Sequence, residues 1–207
     1  MLFRTSVILP AGALLALQVQ GIRVLRDEWT IHLIEQKAAA QEENPVPFND
    51  QPLPLRLPAR GALAAAIMLA RQAAAQPAGN ARTLLLGRAQ LLNDQVLAVR
   101  PTSGEAWLVN AYLAGLRDGL DSPAALSAFA RSYRFNGYLR NSADWRLRYA
   151  AIHWNALDAE TRRRAAMEGR WLSLLTPALR LHTFVLVGGT PLYEAIAGPG
   201  AHAPKLR

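Results

Sequence analysis

The stretch Ser122-Pro-Ala-Ala-Leu-Ser-Ala-Phe-Ala130 decides the class of fold. A hydroxyl at an N-cap accepts an orphan backbone N–H, and a proline at the first helical position has no N–H to leave unpaired. Ala and Leu then follow without a β-branched residue, which favours helix. The same device recurs at Thr176-Pro177 and Thr190-Pro191. Working outward from these starts, helices are expected near 59–76, 80–99, 103–117, 122–134, 142–155, 158–175, 177–186 and 191–197. Val, Ile and Thr are sparse throughout, which disfavours strands. The connections are short, so neighbouring helices should pack as antiparallel hairpins. Gly188-Gly189 is expected to end the penultimate helix.

Upstream, the chain divides by composition. Residues 44–60 carry Pro45, Pro47, Pro52, Pro54 and Pro58 and read as a Pro-rich linker of extended, polyproline-like chain. Before it, an apolar run from Ser6 to Leu25 continues into a charged segment reaching Glu43. The run has close to the roughly 20 residues that cross a bilayer. It reads as an anchor helix whose lipid-facing residues include Val7, Ile8, Leu14, Leu15, Leu17, Val19 and Ile22. Gln18, Gln20 and Arg23 lower its hydrophobicity, and Val7 to Leu17 also suits a signal-peptide core. No small-x-small cleavage site follows at the right distance, so an uncleaved single-pass anchor is expected. The domain layout is therefore an anchor with juxtamembrane extension at 1–43, the linker at 44–60, a helical domain at 61–198 and a flexible tail at 199–207.

The net charge of the 207-residue chain is +8, and Lys37 and Lys205 are the only lysines; arginine carries the rest. Such a balance suits anionic partners such as lipid head groups, acidic polymers or nucleic acid. The absence of cysteine removes disulfides, thiolate metal sites and thiol nucleophiles together. There is no G-x-S-x-G, P-loop, H-E-x-x-H or Gly-rich dinucleotide turn, and the carboxylates are scattered. No catalytic residue, metal site or cofactor is expected. Glu28, His32 and Glu35 share one helical face but read as a solvated stripe. His153 and His182 read as packed or capped side chains. The apolar stretch Leu172–Ala197 is broken by Arg180, His182, Gly188, Gly189 and Glu194, so buried short helices are expected there rather than a second span.

The densest candidate for binding is Arg140–Arg170. Trp145, Tyr149 and Ile152 share a helical face expected to enter the core, with Arg146 and Arg148 off it. Arg162, Arg163 and Arg164 follow on the next helix. With Arg140 they form the expected partner-binding set, suited to acidic peptides, anionic polymers or lipid head groups. No known nucleic-acid module is visible, so nucleic acid is a less favoured partner.

Pro101 precedes Trp107 by six residues, and Ala89 lies twelve before Pro101. These spacings, with Ala125, Phe129 and Ser132 on a following helix, resemble degenerate tetratricopeptide repeats over 78–137. The match departs at Gly137, where the closing proline belongs, and at Asn110-Ala111, where Leu-Gly belongs. It also needs two residues inserted in the hairpin turn. The layout is similar to small bacterial membrane-anchored proteins with a tetratricopeptide-like body. The resemblance implies an all-α fold, an α-solenoid or helical bundle, without catalytic residues. It implies an adaptor or scaffold binding protein partners in an envelope assembly for polysaccharide synthesis, export or secretion. A non-catalytic accessory subunit of a membrane dehydrogenase or synthase is the alternative, and a basic polyanion binder the third. The resemblance also favours a bacterial inner-membrane location with a periplasmic body. The Lys and Arg count after the anchor (Arg23, Arg26, Arg56, Arg60) points instead to the cytoplasm.

Overall fold

The computed structural model describes residues 57–198. The expected anchor, most of the linker, the Glu28–His32–Glu35 stripe and the tail lie outside the described residues. Among the described residues the fold is all-α, with eight α-helices and no strand. No helix among them is long and apolar enough to cross a membrane.

The described residues fall into two compact units that divide between Gln95 and Val96. The first contains α1 (Ala59–Ala75) and most of α2 (Asn80–Val99). On α1, Ala62, Ala65, Ala66, Leu69, Ala70 and Ala73 are buried, so alanine supplies most of its inward face. On α2, Ala89 is fully buried. The second unit holds α3 (Gly104–Asp118), α4 (Pro123–Phe135), α5 (Ala143–Ile152), α6 (Ala159–Leu175), α7 (Pro177–Val187) and α8 (Pro191–Ala197).

The starts marked in the sequence are capped as expected. Ser122 Oγ accepts from Ala125 N at 3.3 Å, Thr176 Oγ1 from Leu179 N at 3.1 Å, and Thr190 Oγ1 from Tyr193 N at 3.4 Å. Ser103 and Asp158 cap α3 and α6 in the same way. Removing the Ser122 hydroxyl with Ser122→Ala is expected to cost about 1 kcal/mol, and Ser122→Gly only a few tenths. Urea unfolding followed by tryptophan fluorescence reads this directly, because Trp107, Trp145, Trp154 and Trp171 all lie in the second unit.

α3 and α4 pack along most of their length and are joined by only four residues, so they form an antiparallel pair. Ala111, Ala125 and Ala128 are buried and let the pair approach closely. At one end Gly104 lies so near α4 that a Cβ there would sit 2.5 Å from Asn136 Cβ. The remaining helices gather around α6, which contacts α4, α5, α7 and α8. In a solenoid each repeat touches only its neighbours; here one central helix serves four. An aromatic cluster fills the core. Phe129 lies 4.3 Å from Tyr149 and 5.2 Å from Tyr133 between ring centroids, and Trp145 stacks on Tyr149 at 5.0 Å. The Tyr149 hydroxyl donates to Leu120 O. Burial, with the Asp121 charge adding to it, pushes that phenol up to about 12.

Two expectations about α5 are corrected. Ile152, expected in the core with Trp145 and Tyr149, is 67% exposed. The helix ends there, since the hydrogen bonds switch from His153 N to Tyr149 O to the tighter Ala156 N to His153 O. The expected helix over 142–155 is thus a ten-residue α-helix flanked by 3₁₀ turns at Arg140–Ser142 and Trp154–Ala156. The second correction concerns Arg146, which faces inward and is fully buried.

Candidate functional site: an arginine-lined groove

α4 has two faces. Ala125, Ala128, Phe129, Ser132 and Tyr133 turn into the core and are buried. Ser127, Arg131 and Arg134, at i, i+4 and i+7, share the opposite face and are exposed. Opposite them stands the first part of α6. Ser127, Ala130, Arg131 and Arg134 from one side, with Asp158, Glu160, Thr161 and Arg164 from the other, line a groove of about 390 Å³.

Each wall is fixed by local chemistry. Asp158 caps α6, accepting from Thr161 N at 2.8 Å and Thr161 Oγ1 at 2.7 Å. Burial works to raise the Asp158 carboxyl, but these hydrogen bonds overcome it and hold the group below its ordinary value. Glu160 accepts a fork from Arg163, at 2.8 and 2.7 Å, and a further bond from Arg164 Nε at 2.6 Å. Those hydrogen bonds lower its carboxyl to about 2. Arg164 also reaches across, with Nη1 donating to Tyr133 O at 2.8 Å. That carbonyl belongs to the last turn of α4, where helical acceptors lack partners. Arg164 is therefore a strut between the walls.

Arg131 and Arg134 are placed differently. The Arg131 guanidinium lies 4.5 Å over the Trp107 ring, which stacks on Phe135 at 6.5 Å. Trp107 is held in place by its own Nε1–H, which donates to Pro101 O at 2.8 Å. Cation–π contact occupies the guanidinium face and leaves its edge donors open. Among the described residues Arg131 and Arg134 have no carboxylate partner.

One turn further along α6 the two helices are locked by a buried polar network. Arg146 Nη1 lies 3.1 Å from Glu168 Oε1, with both side chains fully buried. Glu168 accepts from Tyr133 Oη at 2.8 Å and from Leu139 N at 2.8 Å. Arg146 Nη2 donates to Asn136 O at 3.0 Å, and its guanidinium lies 3.6 Å over the Tyr133 ring. Burial raises the Glu168 carboxyl, with Arg146 and the donated hydrogen bonds pulling against it. Burial, reinforced by the Glu168 charge, raises the Tyr133 phenol well above its ordinary value. The network ties α4, α5, α6 and the 136–139 connection together, which fixes the two helices that wall the groove.

Of the six arginines marked in the sequence, the structure brings only Arg164 to the groove. Arg163 is exposed beside it and committed to Glu160. Arg162 lies 6.0 Å from the Trp154 ring. Arg140 and Arg148 are exposed on the 3₁₀ turn and on α5. Arg146 is sealed inside and cannot touch a partner. Sequence reasoning missed Arg131 and Arg134, although their i, i+3 spacing opposite Ala125, Phe129 and Ser132 carried the signal. His153 packs 4.6 Å from Tyr149, and His182 meets Asp144 at 2.7 Å on the surface. Among the described residues no cluster of His and carboxylates could hold a metal ion. No protein-family model matches the chain, and no curated protein or solved structure is similar to it at a significant level.

Proposed function

We propose that this protein is a membrane-tethered helical adaptor that binds protein partners in a bacterial envelope assembly, with the α4–α6 groove as a docking place. The observation that carries this reading is the pair Arg131 and Arg134. Among the described residues these two guanidinium groups line the groove without carboxylate partners, while Arg163 and Arg164 are engaged by Glu160. The tether rests on the apolar run Ser6 to Leu25, and the inner-membrane, periplasmic placement rests on the resemblance of the layout. The tetratricopeptide-like phase is supported by the α3–α4 pair. Within it Ala125, Phe129 and Ser132 are fully buried, and Trp107 is pinned to Pro101. A tether confines the groove to the bilayer plane and so raises the effective concentration of partners held there.

The test is a photo-crosslinking residue placed at Ser127 of the full chain in cells. Ser127 lines the groove without joining its hydrogen bonds. The expected outcome is a discrete adduct with a second protein in the membrane fraction. Recovery of the intact polypeptide wholly in the high-speed supernatant removes the tether. Absence of any adduct in the membrane fraction removes the adaptor reading. A topology reporter fused after Arg207 decides the side of the membrane.

A further inference from the structure

We infer that the groove takes an acidic segment of a partner protein, with two carboxylates on Arg131 and Arg134; this rests on the adaptor reading and names its partner class. Side chains three apart on a helix lie about 5–6 Å apart between Cβ atoms. Carboxylates at i and i+4 of a helix, or at i and i+2 of an extended chain, present a comparable separation. Arg131 is pre-ordered by its seat on Trp107, so little side-chain freedom is lost when its edge donors meet a carboxylate. Arg134 supplies the second fork. Ser127 Oγ, on the same face as the two arginines, is positioned to bond a peptide backbone.

The lining itself selects against a polyphosphate. Asp158 and Glu160 stand on the opposite wall, and both carboxyls are held in the charged form by their hydrogen bonds. A nucleic-acid strand or an anionic bilayer brings dense, continuous negative charge and would press it against these two groups. A peptide carries sparse charge and its own backbone N–H donors. It can set its carboxylates on the arginine wall and its N–H groups toward the acidic one. The groove is thus complementary to a chain with both donors and acceptors rather than to a uniform anion.

The experiment uses the full chain in a non-ionic detergent and a fluorescein-labelled peptide in which glutamates at i and i+4 are separated by alanine and serine. Arg134→Ala and Arg131→Ala are each expected to weaken binding by about tenfold, the loss of one charge-assisted fork. Arg134→Lys keeps the charge and loses the fork, and is expected to fall between. Arg140→Ala and Arg148→Ala, equal in charge but away from the groove, are expected to stay within about twofold. Equal losses from all four alanine variants mean that net charge alone attracts the peptide, and overturn the proposal. So does tighter binding of oligothymidylate or of phosphatidylglycerol vesicles than of the peptide. If the peptide fails while crosslinking in cells still yields a partner, the acidic-segment assignment falls and the adaptor stands. If the peptide binds through Arg131 and Arg134 while no partner is found in cells, the reverse holds. Both arginines are exposed, so the variants fold, and an unchanged circular dichroism melt confirms it.

Discussion

Glu168→Gln is expected to destabilise the second unit by about 3–5 kcal/mol, the loss that follows when one member of a buried ion pair is removed. The guanidinium of Arg146 cannot lose its proton, so it stays charged in a fully buried site. The glutamine amide also brings two donors to a place where Leu139 N and Tyr133 Oη already donate. Arg146→Met is expected to cost less at low pH, because Glu168 has an escape that Arg146 lacks. Its carboxyl is already raised by burial, and Arg146 is the charge holding it down. Without that charge it rises further and takes up a proton. A folded-state value above the ordinary 4.5 gives a contribution that is fully present below 4.5 and lost as pH climbs through the folded value. The Arg146→Met variant should therefore lose stability with rising pH over a window reaching higher than in the parent. Arg146→Met with Glu168→Gln removes both charges and keeps an acceptor, and is expected to recover most of the deficit. Urea midpoints across a pH series read all three variants. A cost under about 1 kcal/mol for Glu168→Gln at neutral pH contradicts the burial described for the pair.

That network shows where sequence reading stops. Helix starts were legible because Ser-Pro and Thr-Pro act locally: the cap and the proline need only their own turn. The all-α class was legible for the same reason, and so were Ala125 and Phe129 as inward positions. Arg146 was not legible. On α5 it follows Trp145 and precedes Leu147, and charge alone argues for solvent. Only the arrival of Glu168 from 22 residues downstream, and of Asn136 O and the Tyr133 ring from α4 and its exit, makes burial tolerable. Ile152 erred the other way. Its periodicity matched Trp145 and Tyr149, but α5 ends at that residue and the tightened turn carries it out to solvent. The groove has the same character. Arg162, Arg163 and Arg164 stand out as a run, yet two of them are spent on Glu160 and on α4 carbonyls. The pair on α4 looks unremarkable in one dimension, because what leaves it without a carboxylate partner among the described residues is that Asp158 and Glu160 across the groove are taken by Thr161, Arg163 and Arg164.

Gly169→Val is expected to cost at least about 3 kcal/mol, at the upper end of what overpacking a filled core produces. Gly169 sits on α6 where α8 and α5 both close in. A Cβ there would stand 2.3 Å from Ile196 Cδ1 and 2.9 Å from Ile196 Cγ1, with Leu147 Cδ2 at 3.4 Å behind it. The single methyl of Gly169→Ala collides chiefly with Ile196 Cδ1 and Cγ1, and a turn of that side chain relieves part of the clash. Alanine also gains about 1 kcal/mol of helix propensity over glycine. Its net cost is expected to be about 1 kcal/mol, the remainder of a collision partly relieved. Valine adds two more methyls between Ile196 and Leu147, so that turning the Ile196 chain no longer suffices and α8 and α5 must move apart. A double-mutant cycle separates contact from propensity. Ile196→Ala alone opens a cavity and costs about 2–4 kcal/mol. In Gly169→Ala with Ile196→Ala the new methyl occupies part of that cavity, so the pair should be more stable than the sum of the singles by about 1–2 kcal/mol. Gly87 provides the contrast, since a Cβ there meets nothing within 4 Å. Gly87→Ala on α2 is expected to raise stability by about 0.5–1 kcal/mol through propensity alone. Additive behaviour of Gly169→Ala and Ile196→Ala would mean that α8 does not seat against α6 at this glycine.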